Sequence, residues 1–383
     1  MKKNVKIIIL PIALLLFSCV EKYESNISGN NNFLIIEGMI TDLSEPNEVV
    51  LTRTVDLNDK ISIIFETNAI VTISDDLGNT TILNEISEGR YITDPNEFIG
   101  KPDVNYTLTI NTIDGNIYES DPVSLMDVVE IDSVFTTSNI GFNYTTGQQE
   151  FGIDINVATK PWSEEDEYFL KWDYIETWKL FPTYSVMNNP EIPHVPCYNI
   201  IKSSTIITDN TSQYSTNKID KKQILYINEN EYKPYFGYSI MVRQTALNES
   251  VYQFWKMLEE NTQNNGNIFD KIPYNAISNI YCKNNDDVKV FGYFNASKVS
   301  EKRLSFKPPV FGIKFRNFYN SCTPISYTLD DFQIFIQAAH VDSSDVFVYD
   351  FVEDKILFFF NRECVDCSQS ATTTIKPTYW PYN

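Results

Sequence analysis

Two cysteines near the end of the chain, Cys364 and Cys367, stand in the C-x-x-C spacing of the segment NRECVDCS. This spacing serves as half of a zinc site, as a redox pair or as part of a set of structural disulfides. Zinc needs two more ligands, but the two histidines, His194 and His340, show no paired ligand spacing. A redox pair usually opens a helix, whereas this pair follows the apolar segment 355–360 and leads into a Ser/Thr-rich tail. Because the N-terminus, described below, predicts export, we interpret the pair as structural.

The disulfide candidates are odd in number once Cys19 is set aside: Cys197, Cys282, Cys322, Cys364 and Cys367. At most two bridges form from five cysteines, so one thiol is left free or pairs between molecules. We favour a bridge from Cys322 to either Cys364 or Cys367.

Catalytic patterns are sparse. A Ser-His-Asp hydrolase needs a histidine base, and neither histidine lies near a G-x-S-x-G elbow. There is no P-loop or dinucleotide fingerprint. The acidic runs lack the alternating oxygen-ligand pattern of a calcium loop. We therefore assign no catalytic residue, no metal and no cofactor. A glycoside hydrolase needs only two carboxylates, which 51 acidic residues can supply, so it stays an alternative.

Five tryptophans are the candidates for ligand contact: Trp162, Trp172, Trp178, Trp255 and Trp380. They could stack on sugar rings or grip a peptide, although aromatic residues in strands usually form core or cross-strand contacts. We expect Trp255 in the core. An open cleft lined by aromatic side chains would favour a binding module, and a broad apolar patch would favour an interaction protein without a small ligand.

The N-terminus predicts export and lipidation. Residues 1–18, MKKNVKIIILPIALLLFS, combine a basic start with an apolar core too short to span a membrane, which is typical of a signal peptide. The following Leu-Phe-Ser-Cys resembles the lipobox of bacterial lipoproteins, although Phe17 is bulkier than the usual residue. The resemblance implies that Cys19 is the lipidated first residue of the mature chain. Residues 19–32, polar and Asn/Ser-rich, are predicted to form a flexible tether.

The charge balance excludes one class of partner. The formal net charge is −21, and the signal peptide carries three lysines and no acid, so the mature chain is more acidic still. Such a chain is not expected to bind nucleic acid, because phosphates are recognised by Lys and Arg.

Short alternating runs rich in β-branched and aromatic residues predict a mainly β protein. Residues 33–122 predict a β-sandwich that resembles immunoglobulin- or prealbumin-like modules. Residues 127–383 predict a larger β-rich domain with one main helix near 248–263, where Asn248 is a plausible N-cap. In the tail we expect strands at 332–336, 346–351 and 356–360.

The order of several segments resembles a known family. Lipobox, tether, LIIEGMITD, the helix segment YSIMVRQTALNESVYQFWKMLEENTQNNGNIFD, VFGYFNASKVSEKR and the tail CVDC…KPTYW are similar to Bacteroidota outer-membrane lipoproteins catalogued as domain of unknown function 4249. Relatives tend to have Gly-Gly after C-x-D-C, where this chain has Ser370-Ala371. The resemblance implies an outer-membrane location, and a TonB-dependent transporter as partner. It carries no catalytic residue. The sequence leaves the ligand open between a glycan, a peptide and a metal chelate.

One modification signal is Asp132-Ser133-Val134, which resembles the acceptor of protein O-glycosylation in that phylum. Its place just after the predicted domain joint favours an exposed site at Ser133.

Overall fold

The structure is a computed structural model that describes residues 33–54, 64–143, 147–163, 166–187, 189, 191–192, 194–265, 278–339 and 346–382. The predicted signal peptide, Cys19, the tether and His340 lie outside these residues, so their assignments stay predictions.

The described residues form a mainly β chain, as the sequence predicted. The strands are β1 Leu34–Thr41, β2 Glu48–Arg53, β3 Ile64–Phe65, β4 Ile70–Asp75, β5 Thr80–Ile82, β6 Asn84–Ser87, β7 Arg90–Ile92, β8 Asn105–Asn111, β9 Ile117–Ser120, β10 Val123–Ser124, β11 Ile131–Asn143, β12 Gln148–Thr159, β13 Phe169–Leu180, β14 Cys197–Lys202, β15 Ile207–Asn210, β16 Lys222–Asn228, β17 Tyr238–Leu247, β18 Ile280–Cys282, β19 Val290–Ser297, β20 Val299–Phe306, β21 Ile325–Thr328, β22 Phe347–Val352 and β23 Lys355–Phe359. The helices are α1 Glu249–Asn265 and α2 Leu329–Ala339.

Two sheets share one core, and we call this unit the first sandwich. One sheet has the order β19-β1-β2-β7-β6 with β3 beside β2, and the other has the order β18-β9-β8-β4-β5 with β10 beside β8. Ile36, Leu108 and Phe294 are fully buried between them. Residues 33–122 therefore do not complete the sandwich, since β18 and β19 come from beyond α1. The immunoglobulin- or prealbumin-like relationship stays a prediction.

Glycine is required where β1 and β19 pair. The two strands run parallel, with Leu34 opposite Val290 and Ile36 opposite Gly292. Gly292 has φ +100°, and a Cβ at this position would lie 1.8 Å from the carbonyl oxygen of Ile36. A side chain is excluded here both by the backbone conformation and by the close approach of the neighbouring strand.

Two further sheets form a second sandwich. One has the order β11-β12-β16, and in the other β13 lies between β17 and the pair β14 and β15, with β20 beyond β17. Along β13 the alternate residues Leu170, Trp172, Tyr174 and Trp178 are buried in the shared core.

The predicted main helix is confirmed as α1, which joins the two sandwiches. It follows Asn248, whose side-chain Oδ1 accepts a hydrogen bond from the backbone N–H of Val251 at 2.9 Å. This bond satisfies one of the N–H groups that a helix start leaves open. Val251, Phe254 and Leu258 are buried, and they cluster with Tyr293 of the first sandwich and with partly buried Phe169 of the second.

The strand predicted at 332–336 is wrong, because these residues belong to α2. Thr328 Oγ1 accepts a hydrogen bond from the N–H of Asp331 at 3.2 Å and donates one to the Asp331 carboxylate at 2.8 Å. Thr328 is thus the N-cap of α2, and its hydroxyl satisfies one of the N–H groups that a helix start leaves open. Phe332 and Ile336, four residues apart, then pack on the sheet β21-β23-β22. The described residues thus contain two helices where the sequence indicated one. The predicted strands at 346–351 and 356–360 are present as β22 and β23.

Candidate functional site

A cleft of about 350 Å³ lies between the two sandwiches and is bordered by α1. Its first wall is the outer face of the β19-β1-β2 sheet. Because successive side chains of a strand alternate, Leu34, Ile36 and Ile40 enter the core, while Glu37 and Met39 face the cleft. An alternation that resembles a solvated sheet face thus forms the wall of a cavity.

Neighbouring strands extend this wall. In the register of β1 and β19, Glu37 stands opposite Tyr293 and Met39 opposite Asn295. The Tyr293 side chain is almost fully buried, and this desolvation raises its pKa to about 12. Tyr293 is therefore a neutral hydroxyl at physiological pH.

The second wall comes from β13 and β17. Lys171 and Asp173 of β13 face the cleft, opposite Thr245 and Arg243 of β17. The ammonium Nζ of Lys171 lies 2.6 Å from both carboxylate oxygens of Asp173. The same ammonium lies 5.2 Å from the ring centroid of Trp255 on α1, within the range of a cation–π interaction.

An ion pair across the cleft links the two sandwiches. The guanidinium Nη2 of Arg243 lies 2.8 Å from both carboxylate oxygens of Glu45, which is in the segment between β1 and β2. Arg243 also pairs with Glu301 of β20. On the first wall, Glu48 pairs with Arg90 at 2.5 Å. These acids are therefore already matched by bases.

Glu37 differs from the other acids of the cleft. Within the described residues its carboxylate has no hydrogen-bond donor and no base within ion-pair distance. The surrounding walls remove much of its bulk water, although solvent in the cleft still reaches the side chain. This desolvation raises its pKa; the charge of Lys171 opposes the shift, and the charges of Asp173 and Glu48 reinforce it.

Three buried polar atoms of cleft residues lack hydrogen-bond partners in the described part of the chain: Asn47 Nδ2, Thr245 Oγ1 and Asn295 Oδ1. The other amide atom of Asn295, Nδ2, donates to the carbonyl oxygen of Ala246 at 3.1 Å, which fixes the amide orientation. An unpaired buried acceptor is costly, and a donor brought to it removes that cost.

The tryptophans divide between core and cleft. Trp172, Trp178 and Trp380 are buried. Trp255, which we expected in the core, is only partly buried and lines the cleft. Trp162 is also partly buried and borders a shallow polar depression elsewhere.

The cysteines form two disulfides, as predicted for structural cysteines. Cys322 is joined to Cys364 and Cys197 to Cys367, with Cα–Cα distances of 5.6 and 5.9 Å. The two C-x-x-C cysteines therefore have different partners and are not an internal redox pair. Cys282, a bridge candidate in the sequence, is a buried free thiol whose sulfur donates to Asn284 Oδ1 at 3.3 Å.

Other candidate residues do not gather into a site. His194 Nε2 lies 2.8 Å from the carbonyl oxygen of Pro182. No group of three His, Cys, Asp or Glu side chains placed to hold a metal occurs among the described residues. Ser133 lies half-buried in β11 beside a register shift, opposite Ala158, and so is less open than its sequence position indicated. No helix in the described ranges is long and apolar enough to cross a membrane.

A family model described as a domain of unknown function, DUF4249, matches residues 20–303. The chain belongs to this family. A search of curated proteins returns no match. The cleft residues Glu37, Lys171, Asp173, Trp255 and Asn295 all lie within the residues that define DUF4249. The cysteine tail, which the sequence resemblance treated as specific, lies beyond the DUF4249 match.

Proposed function

We propose that this DUF4249 protein is a lipid-anchored envelope protein that captures a small ligand in the cleft between its sandwiches. We further propose that it delivers this ligand to a TonB-dependent outer-membrane transporter. The observation that carries the first part is the cleft itself. It combines an aromatic side chain, Trp255, with an unpaired carboxylate, Glu37, and with buried polar atoms that lack partners. Binding sites typically combine apolar surface with a few convergent polar groups.

A binding role fits this cleft better than a purely structural one. A packed structural interface would have its polar atoms paired, because each unpaired buried group costs about 1–3 kcal/mol. Here the pairs Lys171–Asp173 and Arg243–Glu45 fix the walls, and the carboxylate of Glu37 and Oδ1 of Asn295 are left unpaired. Such a preformed site gains affinity because little has to be ordered when a ligand binds.

The proposed location rests on the N-terminal sequence. The lipobox at Cys19 supports acylation, and anchoring by two or three chains would be durable. The tether 19–32 would let the protein move above a transporter while staying attached. Attachment to one membrane raises the effective concentration of the two partners, so a weak direct contact suffices. We propose exposure on the cell surface.

Ligand capture is tested by thermal-shift screening of the full-length, detergent-solubilised chain against glycans and short peptides. A true ligand stabilises the native state by an amount that rises with the logarithm of its concentration above the dissociation constant. Trp255→Ala should abolish the shift, while Tyr281→Ala, which removes an exposed aromatic side chain that does not line the cleft, should keep it. A shift that survives Trp255→Ala would place the ligand elsewhere and contradict the proposal.

The anchor and the partner are tested in cells. A labelled fatty acid should be incorporated into the wild-type protein and not into Cys19→Ala. Protease shaving of intact cells should remove the protein, and affinity purification from solubilised outer membranes should recover a transporter barrel in near-equal amount. Protection from protease together with no barrel would instead support a structural lipoprotein that faces the periplasm.

One observation favours the alternative of an interaction protein without a small ligand. Leu329, Ile334, Phe351 and Val352, which belong to the unit formed by α2 and the β21-β23-β22 sheet, are all about half exposed or more. Exposed apolar patches are typical of surfaces that meet another protein. If no ligand shifts the melting temperature and Ile334→Ser abolishes recovery of the barrel, this alternative becomes the better account.

A second alternative is a carboxylate-based glycoside hydrolase. Glu37, whose pKa is raised by desolvation, shares the cleft with the carboxylate of Asp173. Two carboxyl groups in different protonation states are the requirement for that chemistry. Because Asp173 is held by Lys171, we favour binding. Release of a chromophore from aryl glycosides by the wild type and not by Glu37→Gln would support the hydrolase.

A further inference from the structure

We infer that the cleft recognises a small amine-bearing ligand, whose ammonium group lies against Glu37 while its ring or chain contacts Trp255. This inference rests on the proposed capture function and specifies the class of ligand. It follows from which charges of the cleft are already matched, which hydrogen-bonding atoms are left open and which aromatic side chain lines the cleft.

The charge pattern leaves one carboxylate to be neutralised. Asp173 is paired with Lys171, Glu45 with Arg243, and Glu48 with Arg90. Glu37, between these pairs, has no base of its own in the described protein. The remaining basic residue of the lining, Lys202, is exposed at the end of β14. An anion bound inside the cleft would be repelled by Glu37, whereas a cation would complete the pattern.

The hydrogen-bonding atoms without partners also favour an ammonium ligand. Asn295, only 2% exposed, has an Oδ1 acceptor without a donor, and it lies on the same sheet face as Glu37. An ammonium group offers three donors and no acceptor, so it matches a carboxylate and an amide oxygen together. Asn47 Nδ2 is an unpaired donor, and it would suit a ligand that also carries a hydroxyl or carbonyl oxygen. Amino sugars and peptide amines both have this combination.

The aromatic side chain already interacts with a cation. The ammonium of Lys171 lies 5.2 Å from the Trp255 ring centroid, so this ring already attracts a cation within the protein. Met39, beside Asn295 with an S–N distance of 3.8 Å, is unbranched and adaptable. Movement of this side chain would open the path to the buried acceptor.

The affinity of Glu37 for an ammonium group depends on pH. The bound cation favours the ionised carboxyl, so affinity should rise as the pH increases through the raised pKa of Glu37, and it should fall again where the ligand amine loses its own proton. The groups that face Glu37 are Lys171 and Asp173 of β13, Glu48 of β2 and Tyr293 of β19. Tyr293 titrates far above this range, so it does not contribute.

The test is calorimetric titration of the full-length chain with matched probes. Glucosamine is compared with N-acetylglucosamine and with glucuronic acid, and phenylalaninamide with N-acetylphenylalaninamide. In each amine–amide pair, acetylation removes the charge of the nitrogen and adds a small neutral acetyl group, and glucuronic acid is an anionic sugar that lacks the amine. We expect the charged member of at least one pair to bind about tenfold more tightly, the size of one charge-assisted hydrogen bond. The pair that responds distinguishes an amino sugar from a peptide amine.

Glu37→Gln should remove the preference for the charged member and the pH dependence, and should leave the affinity for the acetylated member unchanged. Glu88→Gln, at an exposed site in the turn between β6 and β7, is the matched control and should behave as wild type. If acetylated probes or glucuronic acid bind as tightly as the amines, and Glu37→Gln has no effect, the amine assignment is overturned while ligand capture stands. If no probe binds and the broader screen also gives no shift, both fail.

Discussion

The guanidinium Nε of Arg362 donates a hydrogen bond of 2.9 Å to Oδ2 of Asp366, four residues later in the turn that carries two disulfide cysteines. Asp366 is only 1% exposed. Its other oxygen, Oδ1, accepts from the backbone N–H and the hydroxyl of Ser368 at 2.9 and 2.6 Å. The aspartate of the C-x-D-C segment thus fixes the turn from which the chain is bridged to two distant segments.

Replacing Asp366 by Asn should destabilise the protein by about 2 kcal/mol at neutral pH, because the partly exposed guanidinium of Arg362 and the hydroxyl of Ser368 lose a buried, ionised acceptor. Burial alone would raise the pKa of Asp366, but hydrogen bonds from Ser368 and Arg362 outweigh it and lower this pKa. The stabilisation is therefore present above the usual aspartate pKa and is lost as the pH falls through the lowered one. Urea unfolding at several pH values measures it. Asp286→Asn, at an exposed site, should show no such difference.

The disulfide connectivity is testable by peptide mapping without reduction. We expect cross-linked peptides that contain Cys322 with Cys364 and Cys197 with Cys367. Cys282, which is buried, should react with an alkylating reagent only after unfolding. A peptide that joins Cys364 to Cys367, or rapid alkylation of Cys282 in the native protein, would contradict this arrangement.

Removing the two disulfides should have unequal effects on stability. The bridge Cys322–Cys364 spans 42 residues and Cys197–Cys367 spans 170. Loop-closure entropy gives about 4 kcal/mol for the first and about 5 kcal/mol for the second. Paired Cys→Ser variants, compared by denaturant unfolding, should therefore rank in this order. The reverse order would mean that local packing around Cys322 dominates over chain entropy.

Gly292→Ala should disrupt the pairing of β1 and β19 and cost several kcal/mol, because the added Cβ would overlap the carbonyl of Ile36. Gly115 also has a positive φ but has open space around it. Gly115→Ala should therefore cost only about 1 kcal/mol, which is the backbone strain alone. Thermal unfolding of the two variants separates the cost of atomic overlap from the cost of backbone strain. Equal losses of stability in the two variants would contradict the close approach of β1 to Gly292.

Glu37→Gln should raise the melting temperature at neutral pH by roughly 1–2 °C. Desolvation raises the pKa of Glu37 in the folded state, so its ionised form opposes folding. The cost is absent below the unfolded pKa, about 4, and appears as the pH rises through the folded one. The gain in Glu37→Gln should accordingly vanish in acid. Glu88→Gln is the control, and a destabilised Glu37→Gln would show an unrecognised partner of the carboxylate.

The sequence predicted the structural elements that depend only on residues close together in the chain. The helix α1 follows from the apolar face of Val251, Phe254 and Leu258 together with the N-cap Asn248, all within a dozen residues. The inward alternation of β13 is equally local. The prediction of a strand at 332–336 was wrong because it rested on the apolar residues alone and ignored the helix N-cap at Thr328. That signal was present in the sequence.

The cleft could not be predicted in the same way. Glu37, Lys171 and Asp173 occupy the polar positions of alternating strands, and such positions usually face water. They face a second sandwich because β1 and β13, far apart in the chain, are brought together by α1 and by the Arg243–Glu45 pair. The partner of Cys367 was hidden for the same reason, since its pairing with Cys197 depends on tertiary structure.

The position of β19 beside β1 also sets an order of assembly. Leu34 emerges from the ribosome early, but its parallel partner Val290 is made only after the whole of β11 to β17 and α1. Until then β1 has one free edge, which is a site for wrong pairing between chains. Contacts this distant in sequence form slowly. The first sandwich is thus begun first and completed late, and a chain cut after residue 122 would leave that edge permanently open.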